Sequence, residues 1–150
     1  PYQGGGNNDE WGQAYAENLN TIMSGDLSVI DARYDRAAIG AYPNHQTAIG
    51  KPDITAFWAG LRASFPSAQF TIHHQIGRDD SMMPPRAAIR WSLSGKHEGA
   101  GRFGTPSGAD VYVMGISHAE FGPWGLRREY TLLDDVAIWK QIHLHTGDLS

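Results

Sequence analysis

The chain has 150 residues, 41% hydrophobic and 19% charged, which at roughly 100–200 residues per domain specifies one domain, 1–150, built on a single core. An aromatic content of 11% excludes disorder for its bulk, and 12 basic against 16 acidic residues, scattered rather than clustered, argue against nucleic acid as a partner. Without cysteine there are no disulfides, thiolate metal sites or cysteine nucleophile. No run reaches the ~18 apolar residues of a membrane helix, and the opening Pro1-Tyr2-Gln3-Gly4-Gly5-Gly6 lacks the basic and apolar regions of a signal peptide. No membrane partner is expected, and the cytoplasm is the default compartment. A start at Pro1 suggests a piece excised from a longer chain, with 1–8 and 144–150 as flexible ends.

Asn8 or Asp9 can cap a first helix, whose stripe Trp11, Ala14, Tyr15, Leu19, Ile22 and Met23 ends at Gly25. Asp26 can cap a second, through Leu27, Ile30 and Tyr34, before a short strand from Ala37 to Tyr42 closed by Pro43-Asn44. Pro52 suits the first turn of a third helix carrying Ile54, Phe57, Trp58, Leu61 and Phe65, which Pro66 stops. From Ala68 the period changes to two. Phe70, Ile72, His74 and Ile76 alternate with polar residues, as do Ala87, Ile89, Trp91 and Leu93. A third strand places Asp110, Tyr112, Met114, Ile116 and His118 on one face; a last one begins with Leu126, Arg128, Tyr130 and Leu132 and runs towards Ile142. Helices first and hairpin-connected strands after predict an α+β fold: three N-terminal helices packed in a strongly curved, mixed, mostly antiparallel sheet, a cone with an internal pocket.

Few motifs in this chain carry chemistry. Gly99-Ala100-Gly101-Arg102-Phe103-Gly104 matches GxGxxG, but a strand rather than a helix follows it, so there is no helix N-terminus to receive a pyrophosphate and no nucleotide cofactor is expected. His143 and His145 lie on one side of an extended segment near Asp148, yet no HExxH or comparable cluster exists and no metal is expected. No GxSxG is present for serine chemistry. The sharper candidates are polar groups at apolar parity: Asp110 and His118 share a face with Tyr112 and Met114, and His97 shares parity with Trp91 and Leu93. Such residues lie either at wet strand ends or in a cavity, where desolvation and mutual charge tune them for general acid/base work.

The layout resembles the nuclear transport factor 2-like α+β cone, and within it the SnoaL-like polyketide cyclase family. The resemblance rests on Ser24-Gly25-Asp26-Leu27, Tyr34-Asp35, Gly50-Lys51-Pro52-Asp53-Ile54 and the stretch from Arg90 to Gly99. Pro106-Ser107-Gly108 is similar to the family's Pro-Thr-Gly, and Leu126-Arg127-Arg128-Glu129-Tyr130, Leu133-Asp134 and Gln141-Ile142 to its closing segment. It implies an intramolecular aldol closure of a polyketide ring, with Asp110 as acid/base and His97 assisting. Ala109 departs from the pattern, standing where a basic residue is common.

The expected catalytic residues are therefore Asp110, His97 and His118, and the expected substrate-binding residues Trp58, Trp91, Tyr112, Tyr130, Tyr34, His74 and Asp134. They suit a small hydrophobic molecule with a carbonyl group, handled by cofactor-free proton transfer in a cyclisation or isomerisation. A non-catalytic ligand-binding or accessory domain of the same fold fits the same residues. An open convex sheet face predicts a homodimer, with Val111, Val113 and Leu133 contributing.

Overall fold

The structure, a computed structural model, describes residues 6–44 and 46–147. Helix α1 (Glu10–Met23) is capped by Asp9, whose carboxylate accepts from the Trp11 amide. Helix α2 (Ser28–Arg33) has Leu27 rather than the expected Asp26 at its N-cap, with no side-chain cap bond there; Asp26, one residue earlier, accepts from the Ser28 amide. The second helix stops before Tyr34, which opens strand β1 (Tyr34–Tyr42) instead; a short β2 (Gln46–Ile49), not foreseen in the sequence, pairs with it. Helix α3 (Lys51–Ser64) has Pro52 in its first turn. Strands β3 (Gln69–Arg78), β4 (Arg86–Lys96), β5 (Asp110–Gly122) and β6 (Gly125–Leu133) follow as antiparallel neighbours.

One expected element is corrected. The chain does not remain extended to Ile142: β6 ends at Leu133 and α4 spans Asp135–Thr146. Asp134 is the cause, its carboxylate accepting from the Ala137 amide, an N-cap that turns the backbone into a helix. Ile138 and Ile142, four residues apart, then face the core together. His143 and His145 consequently lie on a helix rather than on one side of a strand. Of the expected loose ends, α4 takes in 144–146 with Gly147 as its C-cap, Asn7 bonds to Gln75 and Gly77 of β3, Gly6 bridges to Gln75, and the Asn8 carbonyl accepts from the Gln13 side chain; 1–5 and 148–150 fall outside the described residues.

The sheet runs β2-β1-β6-β5-β4-β3, with only β1 and β6 parallel. The helices cover one face: α1 packs on β3 and β4, α3 on β1 and β2, and α4 on β5. The opposite face is open.

The facing of β5 is the reverse of the sequence expectation. Val111, Val113, Gly115, Ser117 and Ala119 point into the core, while Asp110, Tyr112, Met114, Ile116 and His118 are exposed. Hydrophobicity alone cannot choose, because both parities are apolar. Volume chooses. The buried Trp91 indole lies across Gly115, where an added Cβ would come within 2.2 Å of Cζ2, so the inward face of β5 must carry small residues wherever β4 supplies large ones. Gly115→Ala is expected to cost about 1–3 kcal/mol by overpacking, read as a lower urea midpoint with an unchanged slope.

Candidate active site

Strand β6 carries one extra residue relative to β5: Phe121 pairs with Leu126, but Glu120 pairs with Arg128. This bulge at Arg127 sends Arg127 and Arg128 outward together and turns Glu129 inward, where it is 0% exposed. Four donors from three other elements converge on its carboxylate. Tyr15 of α1 and Tyr34 of β1 each donate to Oε2 at 2.6 Å. Tyr42 of β1 donates to Oε1 at 2.7 Å, and the Trp58 indole of α3 at 2.8 Å. The Tyr42 ring reaches this position by lying over Gly40, where a Cβ would clash with it.

No cation takes part in these four bonds. A charge removed from water costs several kcal/mol, and hydrogen bonds to charged groups return about 1.5–3 kcal/mol each, so four donors are of the size needed to hold the carboxylate there. A hydroxyl network adjoins it: Trp91 Nε1 donates to Ser117 Oγ at 3.0 Å, which lies 2.8 Å from Thr131 Oγ1. Burial first, and the Glu129 charge second, push the Tyr15, Tyr34 and Tyr42 phenols well above the ordinary tyrosine value. They remain neutral donors across the physiological range.

The expected site residues separate into groups. Trp58, Trp91 and Tyr34 lie in this core, at 2% exposure or less. His97 is buried as well. Its Nδ1 accepts from the Ser107 amide at 3.2 Å, so the neutral ring carries its proton on Nε2, which has no hydrogen-bond partner among the described residues; burial holds this imidazole below the usual histidine value. His74 is buried on β3.

Asp110 is not in the interior. Its side chain is 86% exposed and paired with Lys96 at 2.8 Å, and the Lys96 ammonium lowers its carboxyl rather than raising it as a cavity would. His118, Tyr112 and Tyr130 are on the open face, the reversed β5 facing being the reason for the first two and the Arg127 bulge for the third. Asp134 is the α4 cap. Val111 and Val113, expected on the convex face, are at most 4% exposed in the core. The glycine-rich run 99–104 connects strands, with no helix after it. Among the described residues no group of three or more His, Cys, Asp or Glu could hold a metal ion, and no helix is long and apolar enough to cross a membrane.

Residues 13–126 match the model of the SnoaL-like domain. The chain belongs to that family. All four donor residues lie inside the matched stretch and Glu129 just beyond it. None of the curated proteins matches it in sequence. Among solved structures, this SnoaL-like domain is similar to a protein from Jannaschia sp. CCS1 assigned to the SnoaL-like polyketide cyclases, at 15% identity, 91% and 96% coverage of the two chains and a TM-score of 0.73. IdmH of Streptomyces antibioticus, assigned as a polyketide cyclase, gives 16%, 89% and 99%, and 0.69. TsrD of Streptomyces laurentii gives 18%, 95% and 100%, and 0.71. At these identities the likeness establishes the α+β cone fold.

Sequence reasoning missed Glu129, Tyr15 and Tyr42 as a set. Their signal was the polar tips of Tyr15 and Trp58 on otherwise apolar helix stripes, since buried phenol and indole groups need acceptors.

The phenols also give the SnoaL-like domain an alkaline limit. Each has a folded pKa raised above its unfolded value, so its contribution is fully present below about pH 10 and is lost as pH rises further, by about 1.4 kcal/mol per pH unit for each tyrosine. Denaturation followed against pH is expected to show stability falling steeply above about pH 10, with three of the six tyrosines ionising only as the chain unfolds, visible in tyrosinate absorbance.

Proposed function

We propose that this domain is an acid/base enzyme acting on a small, apolar, carbonyl-bearing substrate through its own side chains, with aldol cyclisation or isomerisation as the outcome. The observation that carries the reading is the buried Glu129 carboxylate held by four uncharged donors. A carboxylate in an apolar surround is a competent base for a proton α to a carbonyl. As it takes that proton its charge disappears and reappears on the enolate oxygen. Phenol and indole donors freed from the neutral acid can follow the charge to that oxygen, which is the differential stabilisation catalysis requires. In a cyclisation the enolate carbon then bonds to a second carbonyl carbon, and the alkoxide formed there takes the proton back from the Glu129 carboxyl, directly or through a phenol that Glu129 reprotonates, which restores the carboxylate. The polyketide-cyclase assignments of the Jannaschia protein and IdmH support a polyketide-like substrate class.

Non-catalytic ligand binding by the same core is the second reading, favoured by the complete burial of Glu129. Deuterium uptake α to the carbonyl in a panel of fused aromatic ketones, α-tetralone among them, separates the two. Catalysed uptake that falls about 10²–10⁴-fold in Glu129→Gln and persists in Asp110→Asn supports the enzyme; equal uptake in wild type and Glu129→Gln overturns it.

A second copy of the chain is the proposed partner. Tyr112, Met114, Ile116, Tyr130 and Leu132 stand 45–68% exposed on the open sheet face, and the pairing of Ile116 with Leu132 and His118 with Tyr130 makes the patch continuous. A contiguous exposed apolar patch marks an interaction surface, and a twofold axis through it would match apolar side chains to their own copies. Sedimentation equilibrium is expected to show a dimer that Met114→Glu converts to a folded monomer; a concentration-independent wild-type monomer overturns this.

A further inference from the structure

Glu129, Tyr15, Tyr34 and Trp58 are at most 2% exposed and Tyr42 only 4%, so a substrate reaches them only if something moves. The contacts around α4 indicate what. Its first turn is joined to the carboxylate by a short series of contacts: Asp135 pairs with Arg102 at 3.5 Å, the Arg102 guanidinium sits 5.5 Å from the Phe57 ring centroid, Phe57 stacks on Tyr42 at 3.8 Å, and Tyr42 donates to Glu129. Arg102, on the 99–108 connection, is the link between α4 and the Phe57–Tyr42 stack, and Trp139 of α4 meets the same connection at Phe103 with ring centroids 5.4 Å apart.

Besides the Arg102–Asp135 pair and the Trp139–Phe103 contact, two buried side chains and one amide attach α4. Ile138 and Ile142 are its buried side chains. Beyond them, Gln141 stands in for a missing strand: β6 pairs with β5 only as far as Gly115 with Leu133, and the Gln141 amide takes the place of a further β6 residue, accepting from the Tyr112 amide at 2.8 Å and donating to its carbonyl at 3.2 Å. The closure also carries a polar penalty. Arg102 Nε and Asp135 Oδ1 are buried without hydrogen-bond partners among the described residues, and opening α4 returns both to water, offsetting part of the apolar surface exposed.

We propose that α4, hinged at Leu133–Asp134 and held by Gln141, is a lid whose opening admits a small apolar ligand to Tyr42 and Glu129. This deepens the proposed function and rests on it for the identity of the ligand, while its test needs no ligand or turnover. Hydrogen exchange of the Trp58 indole proton, which is bonded to Glu129, is followed by NMR beside the amides of α4 and of the central β4–β5 pairs. If α4 is a lid, the indole and the α4 amides exchange at least about tenfold faster than the β4–β5 amides, with rates insensitive to low urea, because they report a local opening. Gln141→Ala is then expected to accelerate both a further severalfold while leaving the β4–β5 amides nearly unchanged. Exchange of the wild-type Trp58 indole at the β4–β5 rate, with the same urea dependence, overturns the lid without any variant. So does α4 exchange that accelerates in Gln141→Ala while the indole does not. Should Glu129→Gln keep full deuterium uptake while the indole follows α4, the acid/base reading falls and the lid stands.

Discussion

An ionised carboxylate in a protein core must have its lone pairs filled or it will not remain there, and for Glu129 the filling groups come from α1, β1 and α3. Each donor must arrive within a few tenths of an ångström of its oxygen. The requirement therefore sets how far along the sheet each helix sits, not merely that it packs. Apolar burial alone would tolerate a helix sliding by part of a turn, since one aliphatic contact substitutes for another. A phenol that misses its carboxylate leaves one of the oxygens short of a donor at a position that is 0% exposed.

The same requirement links stability to chemistry. In the proposed reaction the donors that hold the charge in the resting core are the groups that would hold it on a bound molecule, and both uses call for neutral phenols. Burial keeps them so. His97 is a different kind of residue. Wedged near Phe65 with its Nδ1 occupied by Ser107, it orders the connection between β4 and β5 and has its Nε2 proton unused.

Much of the architecture was written in local signals: the α1 and α3 stripes, the Asp9 and Pro52 starts, the change of period at residue 68, and the antiparallel succession of strands all correspond to observed elements. The SnoaL-like resemblance likewise agrees with the family match. What local pattern could not supply was facing and ending. The two faces of β5 are both apolar, and the choice between them depends on the volume of Trp91 on a neighbouring strand. The end of β6 depends on one cap, Asp134, at the head of a segment whose alternation read equally well as strand. The site residues were misplaced for two reasons: Asp110 was assigned by a parity that the packing of β5 reverses, and Glu129 lay on the face of β6 that the bulge at Arg127 turns inward.

The bulge at Arg127 has a bearing on how such a domain can change over time. Side chains alternate along a strand with period two, so one residue more or fewer exchanges its faces. Here the extra residue is absorbed as a bulge, two outward residues standing between inward Leu126 and inward Glu129, and losing Arg127 alone would leave Leu126, Arg128 and Glu129 in plain alternation with Glu129 still inward. The facing of the buried carboxylate is thus insensitive to the loss of this one surface residue. Within one cone-shaped scaffold, chains with and without the extra residue can bury the same carboxylate, and an alignment that opens a gap at this position still matches Glu129 to its counterpart.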